Sequence, residues 1–200
     1  MTNVLEYSGK NSLFPPLDSW ETSFSRGKGR AWGIEAEAGW SGKNIGITAY
    51  YTLSWSKRKY DEIWYDWFPH RYDNRHKFTV MGNWQISRTV ELYANWNYHT
   101  GNYMTVPTHV YNPGEVYDVI YTKPNNIRIP DYHRLDLGAN FKWSSKNKKV
   151  KHMWNIGIYN VYCRKNIVFV SIEEMDDKTL KGTGRAIFPI IPSFSYTLKF

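Results

Sequence analysis

Three stretches of this sequence bring together side chains able to do chemistry. Trp64-Tyr65-Asp66-Trp67-Phe68 sets four aromatic rings around a carboxylate. That composition stacks on a sugar or holds a cationic group; its simpler use is to pack a loop. Arg71-Tyr-Asp73-Asn-Arg75-His76 places opposite charges close together, as a salt-bridged strand start or a ligand contact would. Asp131-Tyr-His133-Arg134-Leu-Asp136 mixes carboxylate, imidazole and guanidinium, the groups of general acid–base work. Arg134 and Asp136, however, stand two apart and share one face of a strand, which reads as a charged ladder.

Little else in the chain supports catalysis. The histidines at 70, 76, 99, 109, 133 and 152 are scattered without metal-ligand spacing. His99 beside Thr100 and Asn102 is a poor echo of a Ser–His pair. Cys163 is the single cysteine, so neither a disulfide framework nor a Cys-based zinc site is available. No glycine-rich phosphate loop opens a helix. The expectation is a chain that is not an enzyme and has no metal and no cofactor.

The elements that must position these residues follow from composition and period. Mean hydropathy is −0.61 and no run of about eighteen apolar residues exists, so no transmembrane helix is expected. Transmembrane strands alternate and keep mean hydropathy low. Aromatic residues make up 18% of the chain, an excess that suits membrane interfaces or carbohydrate platforms. The net charge of +8 suits anionic lipid, lipopolysaccharide phosphate or nucleic acid. No nucleic-acid motif accompanies it. The basic run Lys146–Lys151 reads most simply as a solvated turn.

Period-two alternation predicts strands along most of the chain. Ile34, Ala36, Ala38 and Trp40 oppose Glu35 and Glu37; Ile45 to Trp55 alternates over about twelve residues, near the 9–11 that cross a bilayer at a tilt. Phe78 to Ile86 opposes Lys77, Thr79, Asn83 and Gln85. Leu92 to Tyr98, Leu135 to Trp143 and Trp154 to Ile158 follow, the last expected to continue past Asn160 toward Ile172. Phe194, Tyr196, Leu198 and Phe200 close the series, and a short strand is expected near Val4–Tyr7. Connections alternate short (41–44, 87–90, 144–151) and long (58–74, 102–131, 173–183). Outer-membrane barrels carry short turns at one rim and long loops at the other. Trp40, Trp55, Trp84, Tyr98, Trp143, Trp154 and Phe200 fall on the apolar face near strand ends, where interfacial girdles lie. A soluble, aromatic-rich carbohydrate-binding β-sandwich, or a small complete outer-membrane barrel (porin-like or lipid-modifying), gives similar alternation.

Seven stretches in order carry a resemblance. They are Gly27-Lys-Gly-Arg-Ala-Trp-Gly-Ile-Glu35, Tyr51-Thr-Leu-Ser-Trp55, Phe68-Pro-His-Arg-Tyr-Asp-Asn-Arg-His76, Trp96-Asn-Tyr-His-Thr-Gly-Asn102, Arg128-Ile-Pro-Asp-Tyr-His-Arg-Leu-Asp136, Ile158-Tyr-Asn-Val-Tyr162 and Phe188-Pro-Ile-Ile-Pro-Ser193. With the terminal Phe200, the chain resembles the C-terminal part of a TonB-dependent outer-membrane receptor of the Bacteroidetes type. The resemblance implies an all-β fold: an antiparallel transmembrane barrel segment of seven or eight strands from a 22-stranded barrel. It covers residues 1–200, with plug domain and signal peptide absent from the chain. It implies a Gram-negative outer-membrane location and TonB-energised uptake of a siderophore, cobalamin, oligosaccharide or peptide by the intact protein. Implied partners are outer-membrane lipid and lipopolysaccharide, the barrel-assembly machinery, the TonB complex through the missing plug, and a surface lipoprotein; nucleic acid is not among them. Glu35, Glu37, Lys77, Arg134, Asp136 and Lys142 become a polar ladder of the lumen. Tyr196, Leu198 and Phe200 become the barrel-assembly signal. Trp64, Tyr65, Trp67 and Phe68 remain the ligand-contact candidates.

Overall fold

Alternating side chains need neighbouring strands in register, and the computed structural model has them. It describes residues 1–7, 24–107, 109–111, 118–120, 123–145, 150–174, 180–186 and 188–200, all strand, turn or irregular with no helix among them. The strands are β1 (Thr2–Tyr7), β2 (Phe24–Ser41), β3 (Ile45–Tyr60), β4 (Trp64–Pro69), β5 (His76–Gln85), β6 (Val90–His99), β7 (Tyr103–Met104), β8 (His109–Tyr111), β9 (Asp118–Ile120), β10 (Ile127–Arg128), β11 (Tyr132–Ser144), β12 (Lys151–Tyr159), β13 (Ile167–Glu174), β14 (Leu180–Ala186) and β15 (Ile191–Lys199). Eight of them form one antiparallel meander in the order β1-β2-β3-β5-β6-β11-β12-β15, with β4 added to the end of β3.

The connections within the meander are short at one end and structured at the other. Residues 42–44, 86–89 and 145–150 join β2–β3, β5–β6 and β11–β12. At the opposite rim, the two long connections predicted as plain loops carry their own strands. β4 folds back on β3 within 58–74, while β7 pairs β10 and β8 pairs β9 within 102–131. A backbone leaving the sheet still needs partners for its amides and carbonyls, and these small ladders supply them.

The strand expected to run from Trp154 toward Ile172 ends earlier. β12 stops at Tyr159, and Asn160 and Cys163 take positive φ angles of 55° and 56°. Asn160 is 1% exposed; its amide nitrogen donates to the Arg164 carbonyl (2.8 Å) and to the Pro189 carbonyl, and its side-chain oxygen accepts from the Arg164 amide (3.2 Å). Asparagine tolerates the left-handed region because its short polar side chain bonds locally. The chain therefore turns out of the sheet, and β13 pairs β14 in a separate hairpin. Of the 173–183 connection expected as a loop, Glu173 and Glu174 belong to β13 and Leu180–Thr183 to β14, while residues 175–179 lie outside the described set.

Among the described residues the meander does not close on itself. β1 pairs β2 over Phe24–Lys28, with a further bond pair between Met1 and Gly29. From Arg30 to Ser41, β2 has β3 as its only strand neighbour among the described residues, and β15 has only β12.

Gly101 marks the closest approach of rim and sheet. A Cβ there would stand 1.7 Å from the Ile129 carbonyl oxygen and 2.9 Å from that of Pro130, both backbone atoms, whereas at Gly39 the nearest atom is 3.9 Å away. Gly101→Ala is expected to cost about 2–4 kcal/mol by forcing backbone apart. Gly39→Ala should change stability by under about 1 kcal/mol. Urea titration of both variants in detergent micelles checks the contrast.

Candidate functional site

Register fixes two faces across the whole meander. One cross-strand row reads Trp40, Ile47, Gly82, Ala94, Leu137, Ile158 and Pro192; the next reads Ile45, Trp84, Leu92, Ala139, Ile156 and Phe194. Each of the seven meander strands from β2 to β15 contributes its apolar parity to this face. It is not covered: Ile34 is 68% exposed, Trp40 60% and Phe194 60%, while the buried hydrophobic residues are only Tyr60, Phe68 and Ile129 among those described. Rings bracket it at two levels. Trp32 stacks on Trp55 (6.0 Å) and Tyr51 meets Phe78 (4.4 Å) toward the loop rim. Trp143 stacks on His152 (5.1 Å) and Trp154 meets Phe194 and Tyr196 toward the short turns. Small and aliphatic residues lie between. Trp32 and Trp40 are eight residues apart on β2, about 27 Å along a strand and about 20 Å high at a ~40° tilt.

The opposite face is polar, and all six predicted ladder residues lie on its parity. Glu35, Thr52, Lys77, His99 and Tyr132 share one row; Glu37, Tyr50, Thr79, Asn97 and Arg134 share the next. The predicted charges do not all pair with each other. Arg134 bonds Asp136 (2.9 Å), its guanidinium lies 4.0 Å from the Tyr159 ring, and Asp136 accepts the Asn160 amide (2.9 Å). Lys142 bonds Glu91 at 2.5 Å. Glu35 and Glu37, on the edge-ward β2, form no ion pair among the described residues, and Lys77 stands two strands from Glu35.

Sequence reasoning missed the centre of this face. The Tyr93 ring lies over two neighbouring glycines: a Cβ at Gly138 would meet its Cζ at 2.1 Å, and one at Gly157 its hydroxyl at 3.1 Å. Asn155 donates to that hydroxyl (3.0 Å) and to Asn140 Oδ1 (2.7 Å), and Asn140 donates to Glu91 (3.3 Å). The result is a chain of polar contacts from Lys142 to Tyr93 across three strands. Gly138 and Gly157, paired opposite each other on the two meander strands after β6, beside a tyrosine of the same parity, were the available signal.

The aromatic stretch does not form one platform. Phe68 is 4% exposed and packs on the fully buried Tyr60 (6.0 Å). Trp64 pairs opposite Tyr60 and meets Tyr65 (5.0 Å), whereas Trp67 carries the Arg30 guanidinium at 4.2 Å. Tyr65 alone of the four is strongly exposed. Tyr196, Leu198 and Phe200 lie at the end of the meander, all exposed, with Tyr196 and Leu198 on the apolar parity of β15.

Charge gathers instead at the loop rim. Asp73, its side chain 2% exposed, accepts the Ser56 amide (2.8 Å) and pairs Arg75 (3.1 Å), with Arg128 at 3.9 Å. Arg75 also lies 4.8 Å from the Trp55 ring, so the salt bridge borders the apolar face. Asn74 donates to Asn102 (2.6 Å) and to the Thr100 carbonyl (2.8 Å). Asp131 accepts from the Tyr98 hydroxyl (2.7 Å) and the Gly101 amide (2.9 Å). The Asp131–Asp136 stretch is thereby split between a rim clamp and the polar ladder. Among the described residues no cluster of metal-ligating side chains forms. No protein-family model matches the chain, and no curated protein or solved structure matches it.

Burial opposes ionisation of Asp131, yet the Tyr98 hydroxyl, the Gly101 amide and the Arg128 charge outweigh it and hold the carboxyl below its ordinary value. A depressed carboxyl contributes stability that is present above its unfolded value near 4 and is lost as pH falls through the folded value. Asp131→Asn is therefore expected to flatten the fall in urea resistance as pH drops below about 4, a change read from unfolding curves of both proteins across that range.

Proposed function

We propose that this chain is a section of an outer-membrane β-barrel, with the apolar face against lipid and the polar face toward a lumen. The observation that carries this reading is the uncovered apolar face running through the seven meander strands from β2 to β15. In water such a face is a liability far beyond the patches that monomers expose. In a sandwich a second sheet would lie about 10 Å away and bury it. In lipid it needs no cover, and the two aromatic bands stand about as far apart as the apolar belt of a barrel is tall.

The unpaired edges bear on barrel size. A small complete barrel closes its first strand on its last. Here β1 accompanies only one end of β2, and β1 and β15 do not pair. Exposed edges are costly in hydrocarbon, so further strands are required to complete the wall. With the resemblance, this favours a large barrel in which the chain forms about a third of a 22-stranded wall. The intact protein would take up a bulky ligand, a siderophore, cobalamin, oligosaccharide or peptide, under TonB energy. The rim loops would meet the ligand, and the polar ladder of Arg134, Asp136, Lys142 and Glu91 would line the passage. The barrel wall itself does no covalent chemistry.

Val80 and Met81 are adjacent on β5 and point to opposite faces. If the apolar face meets lipid, Val80→Arg costs about 2–4 kcal/mol at mid-strand while Met81→Arg costs under about 1 kcal/mol. Folding equilibria in bilayer vesicles give both values. Equal and negligible costs, together with a monodisperse soluble monomer in water, would point to a soluble sheet protein instead.

A further inference from the structure

A cleft of about 430 Å³ opens at the loop rim, lined by Lys57, Pro69, Asp73, Arg75, Tyr103, Lys123, Asn125 and Asn126, in the size range of small-ligand sites. We propose that it holds the phosphate-monoester headgroup of a membrane lipid; this rests on the apolar face meeting lipid.

Position is the first ground. Lys57 shares the apolar-face parity of β3 and lies two residues beyond Trp55, about 7 Å further along the strand. Its row neighbours are Arg30 and Pro69, and Arg30 covers Trp67. The cleft therefore sits immediately outside the Trp32–Trp55 pair, where indoles mark the boundary of hydrocarbon and headgroups. Charge is the second ground. Three cations and one carboxylate line the cleft, leaving two net positive charges. Asp73 is committed already: one oxygen accepts the Ser56 amide and the other pairs Arg75. It repels an incoming anion weakly and fixes the guanidinium that would meet one. Arg75 itself lines the cleft, and its Nε is buried without a hydrogen-bond partner among the described residues. A phosphate monoester carries about −1.5 to −2 charges near neutral pH and three acceptor oxygens, matching that excess.

Construction is the third ground. Asn125 donates to the Pro69 carbonyl (2.8 Å), and Asn126 accepts the Val106 amide (2.9 Å) and donates to its carbonyl (2.8 Å). Tyr103 donates its amide to the Arg71 carbonyl (2.8 Å) and its ring faces Arg128 (4.3 Å). These bonds tie the long connection down beside β4, so Lys123 is brought to Lys57 by folded structure.

The test uses the full chain folded in dodecylmaltoside micelles doped with phosphatidic acid or with phosphatidylcholine. Lipid retained after washing on a column is measured as bound phosphorus per chain. The wild type is expected to retain phosphatidic acid and not phosphatidylcholine. Lys57→Gln with Lys123→Gln, which leaves the Asp73–Arg75 pair untouched, should weaken retention about tenfold, equivalent to 1.4 kcal/mol. Circular dichroism verifies that the variant keeps its strands. Equal retention by a folded variant, or equal retention of phosphatidylcholine, overturns the site while leaving the membrane reading standing. Displacement by inorganic phosphate at the lipid's own concentration assigns the cleft to free phosphate and overturns the lipid assignment. A wild type that folds in water and ignores micelles overturns the membrane reading and the site together.

Discussion

The lateral hydrogen-bond ladder is the constraint on which everything else rests. It locks eight strands in antiparallel register, so each strand's parity is inherited from its neighbour. Because side chains alternate with period two, a slip of one residue at any seam would invert every strand beyond it. No such slip occurs along the meander between β2 and β15, and rows such as Trp40–Ile47–Gly82–Ala94–Leu137–Ile158 run unbroken. A single layer with one apolar and one polar surface is the direct result.

That layer has almost no core of its own. Its few deeply buried side chains lie at the loop rim, where Tyr60 and Phe68 pack together and Asp73, Asn74, Asn160 and Asn166 are held by hydrogen bonds. Stability is thus divided: backbone pairing holds the sheet, and buried polar anchors hold the excursions that leave it. Buried polar groups of this kind are costly when left unpaired, and each of these side chains is tied to backbone atoms, those of Asp73, Asn74 and Asn166 to side chains as well. The cleft beside Lys57 is a product of that anchoring, since its walls come from β3 and from the two excursions that follow β3 and β6.

Much of this was legible in the sequence because alternation is a local signal. The strand pairs around Ser41–Asn44 and Ser87–Thr89 and the common parity of Arg134, Asp136 and Lys142 follow from period two alone. What was not legible depends on contacts distant in the chain. The exit of the chain at Asn160 rests on a carbonyl at Pro189, and Phe68 is buried against Tyr60. Arg75 was readable as a charge near a strand start, but its place over Trp55 depends on how the turn before β5 folds against β3. Tyr93 was hidden because a single aromatic on a polar face gains meaning only beside Gly138 and Gly157.

The central claim, that the two faces of this sheet meet lipid and a polar lumen, is open to a direct measurement. Single cysteines placed at each position from Lys77 to Trp84, with Cys163 replaced by serine, would be spin-labelled in bilayers carrying the chain. Their collision rates with oxygen and with a water-soluble nickel chelate would then be compared. Oxygen access should peak at positions 78, 80, 82 and 84 and nickel access at 77, 79, 81 and 83. Nickel access at every position, without alternation, would contradict the account.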